Sequence, residues 1–373
     1  MCSICLTFRA NLYTSDVKPK YCVNSSFLIE VHAIVIGIVC MHYSLLATAT
    51  NILWKLIEAN GLDPDAMYRD AGIDPGLLNK PGARVPYALV NKVWVKATEI
   101  IDNPCFSLKA HKFWHPSYIH ALGYAWLASH TLREAINRFV RYLRVVSEIP
   151  FLKLEEKPDG FTLIFGFELL DMRIPEQSDM GMALAIHMCR LNYGEDLTPL
   201  SVNVVHPEPS CAEEYYNLYR IPVRFSADRN SMTFSLADVD KYLIGANPQL
   251  ARLNDQVMIQ YLGNLDKDNI VDRTTAAIID MLPSGGVADE KVAEQLNMSV
   301  RSLQRRLKEA GTTFRTLLKV VRKDLASTYV RDPDIELGEV AFLLGFSDQS
   351  AFSRAFKRWT GCPPSEARKS KAW

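Results

Sequence analysis

Excess charge is missing from this sequence: 42 Lys and Arg balance 42 Asp and Glu over 373 residues. A net of zero argues against the whole chain being a nucleic-acid binder, although it leaves room for a basic segment. Long apolar runs are missing too. The best, residues 33–41, is too short to cross a bilayer, and Glu30 and His32 interrupt its approach. Cysteines are scattered, at 2, 5, 22, 40, 105, 189, 211 and 362. Only Cys2 and Cys5 form a close pair, with no second pair at a zinc spacing, so reduced thiols are expected and no metal. No G-x-S-x-G elbow, Walker loop or dinucleotide fingerprint occurs. His111 and His115 have i, i+4 spacing, but His115 precedes Pro116 and no glutamate lies between them, so solvated or core histidines are expected. Glu155-Glu156 and Glu213-Glu214 are sequence neighbours that diverge on regular elements, which does not suit a catalytic pair. No cofactor and no enzyme activity are expected.

What is present is an internal repeat. Val292-Ala293-x-x-Leu296-Asn297-Met298-Ser299 returns 48 residues later as Val340-Ala341-x-x-Leu344-Gly345-Phe346-Ser347. Leu303, Arg305, Leu307 and Lys308 then match Phe352, Arg354, Phe356 and Lys357 at an offset of 49. Each copy reads as helix, tight turn, helix, the helix-turn-helix pattern. Asn297 and Gly345 share the slot that closes the first helix, where a left-handed residue is needed. In residues 299–309, Ser299 suits the N-cap, Leu303 and Leu307 point to a small core, and Arg301, Gln304, Arg305, Arg306 and Lys308 crowd the other faces. Between the copies, Phe314, Leu317, Leu318, Val321, Leu325 and Tyr329 make one apolar stripe. The spacing predicts a helix about 25 Å long. It would hold the two copies at roughly the 34 Å repeat of B-DNA.

Residues 270–373 thereby resemble the DNA-binding domain of the AraC/XylS family of bacterial transcription regulators, most specifically in GFSDQSAFSRAFKRWTGCPPS from Gly345. The resemblance implies base-reading side chains at Arg301, Gln304 and Arg305 in the first copy and Gln349, Ser350 and Arg354 in the second. It implies phosphate contacts from Ser299, Arg306, Lys308, Asp348, Lys357 and Arg358. Two departures stand out: Ala288 and Glu336 occupy cap positions where serine or threonine is usual, and Gly338 lies inside a predicted helix.

The rest divides into residues 1–40, which fit no core pattern and are expected to be a non-native or disordered extension, and residues 41–266. In the latter, helices are expected at 52–60, 86–101, 118–129, 131–147, 176–193 and 211–219. Strands are expected at 149–155, 161–167, 200–206, 223–225 and 231–234, in an α+β domain with an antiparallel sheet. This region resembles the N-terminal domain of the ornithine-utilisation and VirS type of AraC-like regulators. The carriers are Ala59-Asn60-Gly61-Leu62-Asp63-Pro64, Gly123-Tyr124-Ala125-x-x-Ala128-Ser129-x-Thr131-Leu132, His206-Pro207-x-Pro209 and Ile221-Pro222-Val223-x-Phe225. In relatives it is the arabinose-binding type; no ligand residue transfers. Trp94, Trp114, Trp126, Tyr118 and Tyr124 are candidates to line an apolar pocket, although ordinary core is the expected use for most of them. From residue 268 onward 17 Lys and Arg face 14 Asp and Glu, leaving 25 against 28 before it, a mild sensor-and-reader asymmetry.

The fold expected is an α+β N-terminal sensor domain followed by an all-α domain, residues 268–373, with two helix-turn-helix units joined by a long helix. The function expected is a cytoplasmic, nucleoid-associated regulator, an activator by its family. It binds double-stranded promoter DNA, with RNA polymerase, an unidentified small-molecule effector and a second copy as partners, and no membrane. Two alternatives are a DNA-repair methyltransferase-like enzyme with an AraC-type reader, against which the wide separation of Cys105, Cys189, Cys211 and Cys362 speaks, and a ligand-independent dimeric regulator.

Overall fold

A computed structural model describes residues 43–167, 174–265, 269–330 and 335–369. The expected extension at 1–40 lies outside the described residues. The N-terminal half begins with strand β1 (Ser44–Leu46), helices α1 (Asn51–Ala59) and α2 (Pro64–Ala71), strand β2 (Arg84–Pro86) and helix α3 (Tyr87–Ile100). Asp63 caps α2 by accepting the Ala66 N–H, and Pro64 occupies its first position. Ile52, Leu56, Tyr68, Val90 and Trp94 bury together as one apolar core.

A second core is built on helices α4 (Ala121–Leu127) and α5 (Leu132–Val146), strands β3 (Pro150–Lys157) and β4 (Gly160–Phe167), and helix α6 (Pro175–Tyr193). After α6 come β5 (Ser201–Asn203), α7 (Ala212–Tyr219), β6 (Val223–Arg224), β7 (Asn230–Phe234), a short α8 (Leu236–Val239) and α9 (Pro248–Leu265). The β3–β4 hairpin forms where alternation predicts it, Lys157 opposite Gly160. Thr131 caps α5 by accepting the Glu134 N–H at 3.1 Å.

Three expectations are corrected. The five-stranded sheet, in the order β3-β4-β7-β5-β6, is mixed rather than antiparallel, because α7 carries the chain over so that β5 and β6 run parallel. The helix expected at 118–129 is two pieces, a 3₁₀ turn at Pro116–Ile119 and α4, separated by His120 at φ 59°. The break brings the Pro116 carbonyl against Gly123, where a Cβ would lie 2.2 Å from it. Finally, Cys105 and Cys211 are not separate thiols but a disulfide, their Cα atoms 6.2 Å apart. The 3₁₀ segment Phe106–Phe113 packs on the start of α7 and sets the two side by side.

The C-terminal region is helical: α10 (Ile270–Met281), α11 (Asp289–Gln295), α12 (Val300–Glu309), α13 (Phe314–Tyr329), α14 (Leu337–Leu343), α15 (Gln349–Thr360) and α16 (Pro364–Lys369). It has two small cores. Leu303 and Leu307 meet Ile278 and Val292 in the first, and Phe352 and Phe356 meet Val340 and Leu344 in the second. The single stripe of α13 serves both, with Leu317 and Val321 in the first core and Ala326 and Tyr329 in the second. Among the described residues no helix is long and apolar enough to cross a membrane.

Candidate nucleic-acid interface

The two expected reading helices are α12 and α15. Ser299 accepts the Ser302 N–H at 3.2 Å and Asp348 accepts the Ala351 N–H at 2.7 Å, so both helices start on a side-chain cap. The preceding helices α11 and α14 have no side-chain cap, as Ala288 and Glu336 predict. Asn297 and Gly345 are both left-handed, at φ 55° and 67°, and turn each first helix into its second. Gly345 is needed for a further reason: a Cβ there would lie 2.9 Å from the Leu282 carbonyl.

On α12, Leu303 and Leu307 are fully buried while Arg301, Gln304, Arg305 and Lys308 are exposed and Arg306 is half-buried. On α15, Phe352 and Phe356 are buried, and Gln349, Ser350, Arg354, Lys357 and Arg358 are exposed. The chemistry of the expected readers is thus brought to the solvent faces of both helices. Gln304 donates to Asp289 at 2.8 Å, which ties it to the start of α11, and Arg305 lies 3.4 Å from Glu309. Both contacts are exposed, where an ion pair or hydrogen bond is weak enough for DNA to displace. Among the described residues no ion pair holds Arg301, Lys308, Arg354, Lys357 or Arg358. Asp348 is different. The Ala351 N–H, with help from the Ser347 hydroxyl, holds its carboxyl below the usual range, so it caps α15 as an anion. That role competes with the phosphate contact expected of it.

The structure adds two residues that the sequence reading passed over. Arg322 donates to the Leu344 and Gly345 carbonyls at 2.9 and 2.8 Å and lies over the Phe346 ring. Arg273 donates to the Leu296 carbonyl at 3.3 Å. Leu296 and Leu344 are equivalent in the repeat, and Arg273 and Arg322 are 49 apart, the same offset as Arg305 and Arg354. Buried Ala277 and Ala326 follow at that offset. The repeat therefore includes α10 and α13, and each copy is a three-helix unit whose first helix supplies an arginine to the orphan carbonyls ending the second. The matching offset was a signal available in the sequence.

A second site lies in the N-terminal half. A cavity of about 220 Å³ opens at the seam of its two cores. Of the five aromatic candidates, Trp94, Trp114 and Trp126 line it, and Tyr118 and Tyr124 do not. Helix α5 forms one wall with Ile136, Phe139, Leu143 and Val146. Its other face points to the rest of the chain. Buried Arg138 binds Asp255 of α9 at 2.8 Å and Glu134 at 2.9 Å, Arg144 binds Asp272 of α10 at 2.7 Å, and Arg141 lies 3.7 Å from Asp324 of α13. Burial raises the Glu134 carboxyl, but the His130 hydrogen bond and the Arg138 cation bring it down to about 2. Helices α9 and α10 touch closely, a Cβ on Gly263 falling 2.7 Å from the Ala276 methyl.

The four cysteines of the enzyme alternative do not assemble. Cys105 and Cys211 are bonded, burial pushes the Cys189 thiol up to about 12, and Cys362 sits beside the second core of the C-terminal region. His111 and His115 turn their Nδ1 atoms to the Leu108 carbonyl and the Ser117 hydroxyl.

Comparison with known proteins agrees with this arrangement. Residues 61–243 match the arabinose-binding N-terminal domain of AraC transcription regulator, and residues 292–370 match a helix-turn-helix domain. An uncharacterized HTH-type transcriptional regulator of Mycobacterium tuberculosis is 45% identical over 336 residues, 85% of this chain and 94% of its own. The ornithine utilization regulator of Pseudomonas aeruginosa is 28% identical over 332 residues, again 85% of this chain and 94% of its own. The crystal structure of the regulator CdpR from Pseudomonas aeruginosa, 20% identical, spans 86% of this chain and 98% of its own at a TM-score of 0.45. With a relative this similar over most of both lengths, a matching N-terminal domain and two helix-turn-helix units, the chain belongs to the AraC family of DNA-binding transcription regulators.

Proposed function

We propose that the protein reads promoter DNA with α12 and α15, and that a small molecule held in its N-terminal domain controls how it does so. Arg301, Gln304 and Arg305 read bases in one major groove, and Gln349, Ser350 and Arg354 in the next. Ser299, Arg306, Lys308, Lys357 and Arg358 meet phosphates. Residues 41–266 act as the sensor and 268–373 as the reader. RNA polymerase and a second copy are its partners at the promoter, in the bacterial cytoplasm at the nucleoid.

One observation carries the sensing half. Helix α5 lines the cavity with one face and binds α9, α10 and α13 through Arg138, Arg144 and Arg141 with the other. A ligand that shifts α5 changes the contacts that hold the reader, which is the differential contact that coupling between sites requires. The test uses the full chain and DNA obtained by binding-site selection. Arg144→Glu should change DNA affinity by about 5-fold or more, a typical coupling, and adding Asp272→Arg should bring it back. Wild-type affinity in Arg144→Glu would remove the Arg144–Asp272 contact as the link.

A further inference from the structure

From the lining of the seam cavity, and resting on the sensor reading above, we infer that the effector is an uncharged, mostly apolar molecule with a single oxygen acceptor, not a sugar or an amino acid. Among the described residues no Lys, Arg, His, Asp or Glu lines the cavity. Among these described residues a buried carboxylate or ammonium would find no counter-charge, and a polyol would bury hydroxyls without partners. The polar groups that are present are mostly engaged. Gln177 accepts from the Tyr87 hydroxyl at 2.6 Å and donates to Asn91 at 3.0 Å, and the Trp126 N–H donates to the Met188 carbonyl at 2.9 Å. Two buried groups on lining residues have no partner: the Trp114 indole N–H and the Ser147 hydroxyl. An indole N–H only donates, so a ligand atom that reaches it is an acceptor. An engineered apolar cavity of ~150 Å³ takes up benzene, so about 220 Å³ holds roughly nine carbon atoms. A medium-chain or aryl ketone, ester or lactone has these properties.

The cavity also offers its own control. Gly181, in the middle of α6, lies on the lining, and a Cβ built there meets nothing within 4 Å. A side chain at this position therefore starts in open space on the cavity wall. Ala185, one turn on, lines the same wall.

The experiment takes the purified full chain with four probes: 2-nonanone, nonane, nonanoate and L-arabinose. Thermal unfolding and tryptophan fluorescence report binding. At about 100 times its Kd, 2-nonanone should raise Tm by roughly 5 °C, nonane by less, and nonanoate and L-arabinose not at all. Gly181→Phe and Ala185→Phe should abolish the 2-nonanone shift while keeping the circular-dichroism spectrum and a cooperative unfolding transition. Should either fail to fold, Gly181→Leu provides the same readout. The inference is overturned if no probe shifts Tm, if nonanoate or L-arabinose shifts it in place of 2-nonanone, or if the 2-nonanone shift survives in the filled variants. DNA affinity judges the sensor reading separately. Binding of 2-nonanone that leaves DNA affinity unchanged supports the apolar site and removes the sensor reading. DNA affinity that answers L-arabinose alone keeps the sensor reading and overturns the apolar effector.

Discussion

Arg305 and Arg354 occupy matching slots of the repeat, each exposed and each one turn or more into its helix. A bidentate contact from either to a guanine is worth about 1–3 kcal/mol of discrimination. In binding-site selection, Arg305→Ala should relax one half of the site and Arg354→Ala the other half, about 10 bp away. Lys357→Ala should weaken all sequences alike and reduce the salt slope by about one. Unchanged site preference in both arginine variants would show that other side chains do the reading. A second residue-scale prediction concerns His206. Its Nε2 lies 3.2 Å from Asp179, which also accepts from the Tyr215 hydroxyl at 2.7 Å, and the hydrogen bond to Asp179 holds the imidazole pKa above its ordinary value. A folded-state pKa that is raised gives stability that is full below the unfolded value of about 6.5 and is lost as pH rises through the folded value. The urea midpoint of His206→Gln should therefore fall furthest below wild type at low pH, and the gap should close as pH rises above the histidine range. A gap that widens with pH would contradict this.

Among the elements, the turns between paired helices separate two effects of glycine. Gly345 and Gly361 both have positive φ, 67° and 90°, but an added Cβ is crowded only at Gly345. Gly361→Ala should cost about 1–2 kcal/mol, the left-handed penalty alone. Gly345→Ala should cost more than that, because the Leu282 carbonyl must move as well. Equal urea midpoints for the two variants would mean that the contact relaxes freely. The positions of α12, α15 and their turns were legible in the chain, since Ser299, Asp348, Asn297 and Gly345 act within a few residues of themselves. The break before α4 was not. Nothing local to His120 signals its positive φ, and the close approach of Pro116 to Gly123 becomes visible only once the chain has folded back.

For the whole molecule, α10 belongs to both halves. Ala277 and Ile278 bury in the first C-terminal core while Ala276 and Ile279 pack against the N-terminal core. A fragment of residues 268–373 keeps both helix-turn-helix units and Asn269, which caps α10 through the Val271 and Asp272 N–H groups. It should bind DNA by itself, with affinity falling steeply as salt rises. Its unfolding midpoint should be lower than that of the same region in the full chain, because one side of α10 is uncovered. Salt-independent binding, or none at any salt, would count against the interface on α12 and α15.

The sequence by itself determined the local devices: helix periods, caps, left-handed turns, the hairpin, and a repeat of two helix-turn-helix units. These depend on residues within a turn or two of each other, so they survive as patterns in one dimension. Only the tertiary structure decided where the same apolar alphabet leaves a space. Trp94 and Trp114 line a cavity while Tyr118 packs as ordinary core, and in the chain they look alike. It also decided that β6 runs parallel to β5, that Cys105 meets Cys211 across a separation of 106 residues, and that Arg144 of one half answers Asp272 of the other. Each of these depends on the chain returning to a distant point of itself, and hydrophobic burial, being non-directional, leaves no local mark of where that return occurs.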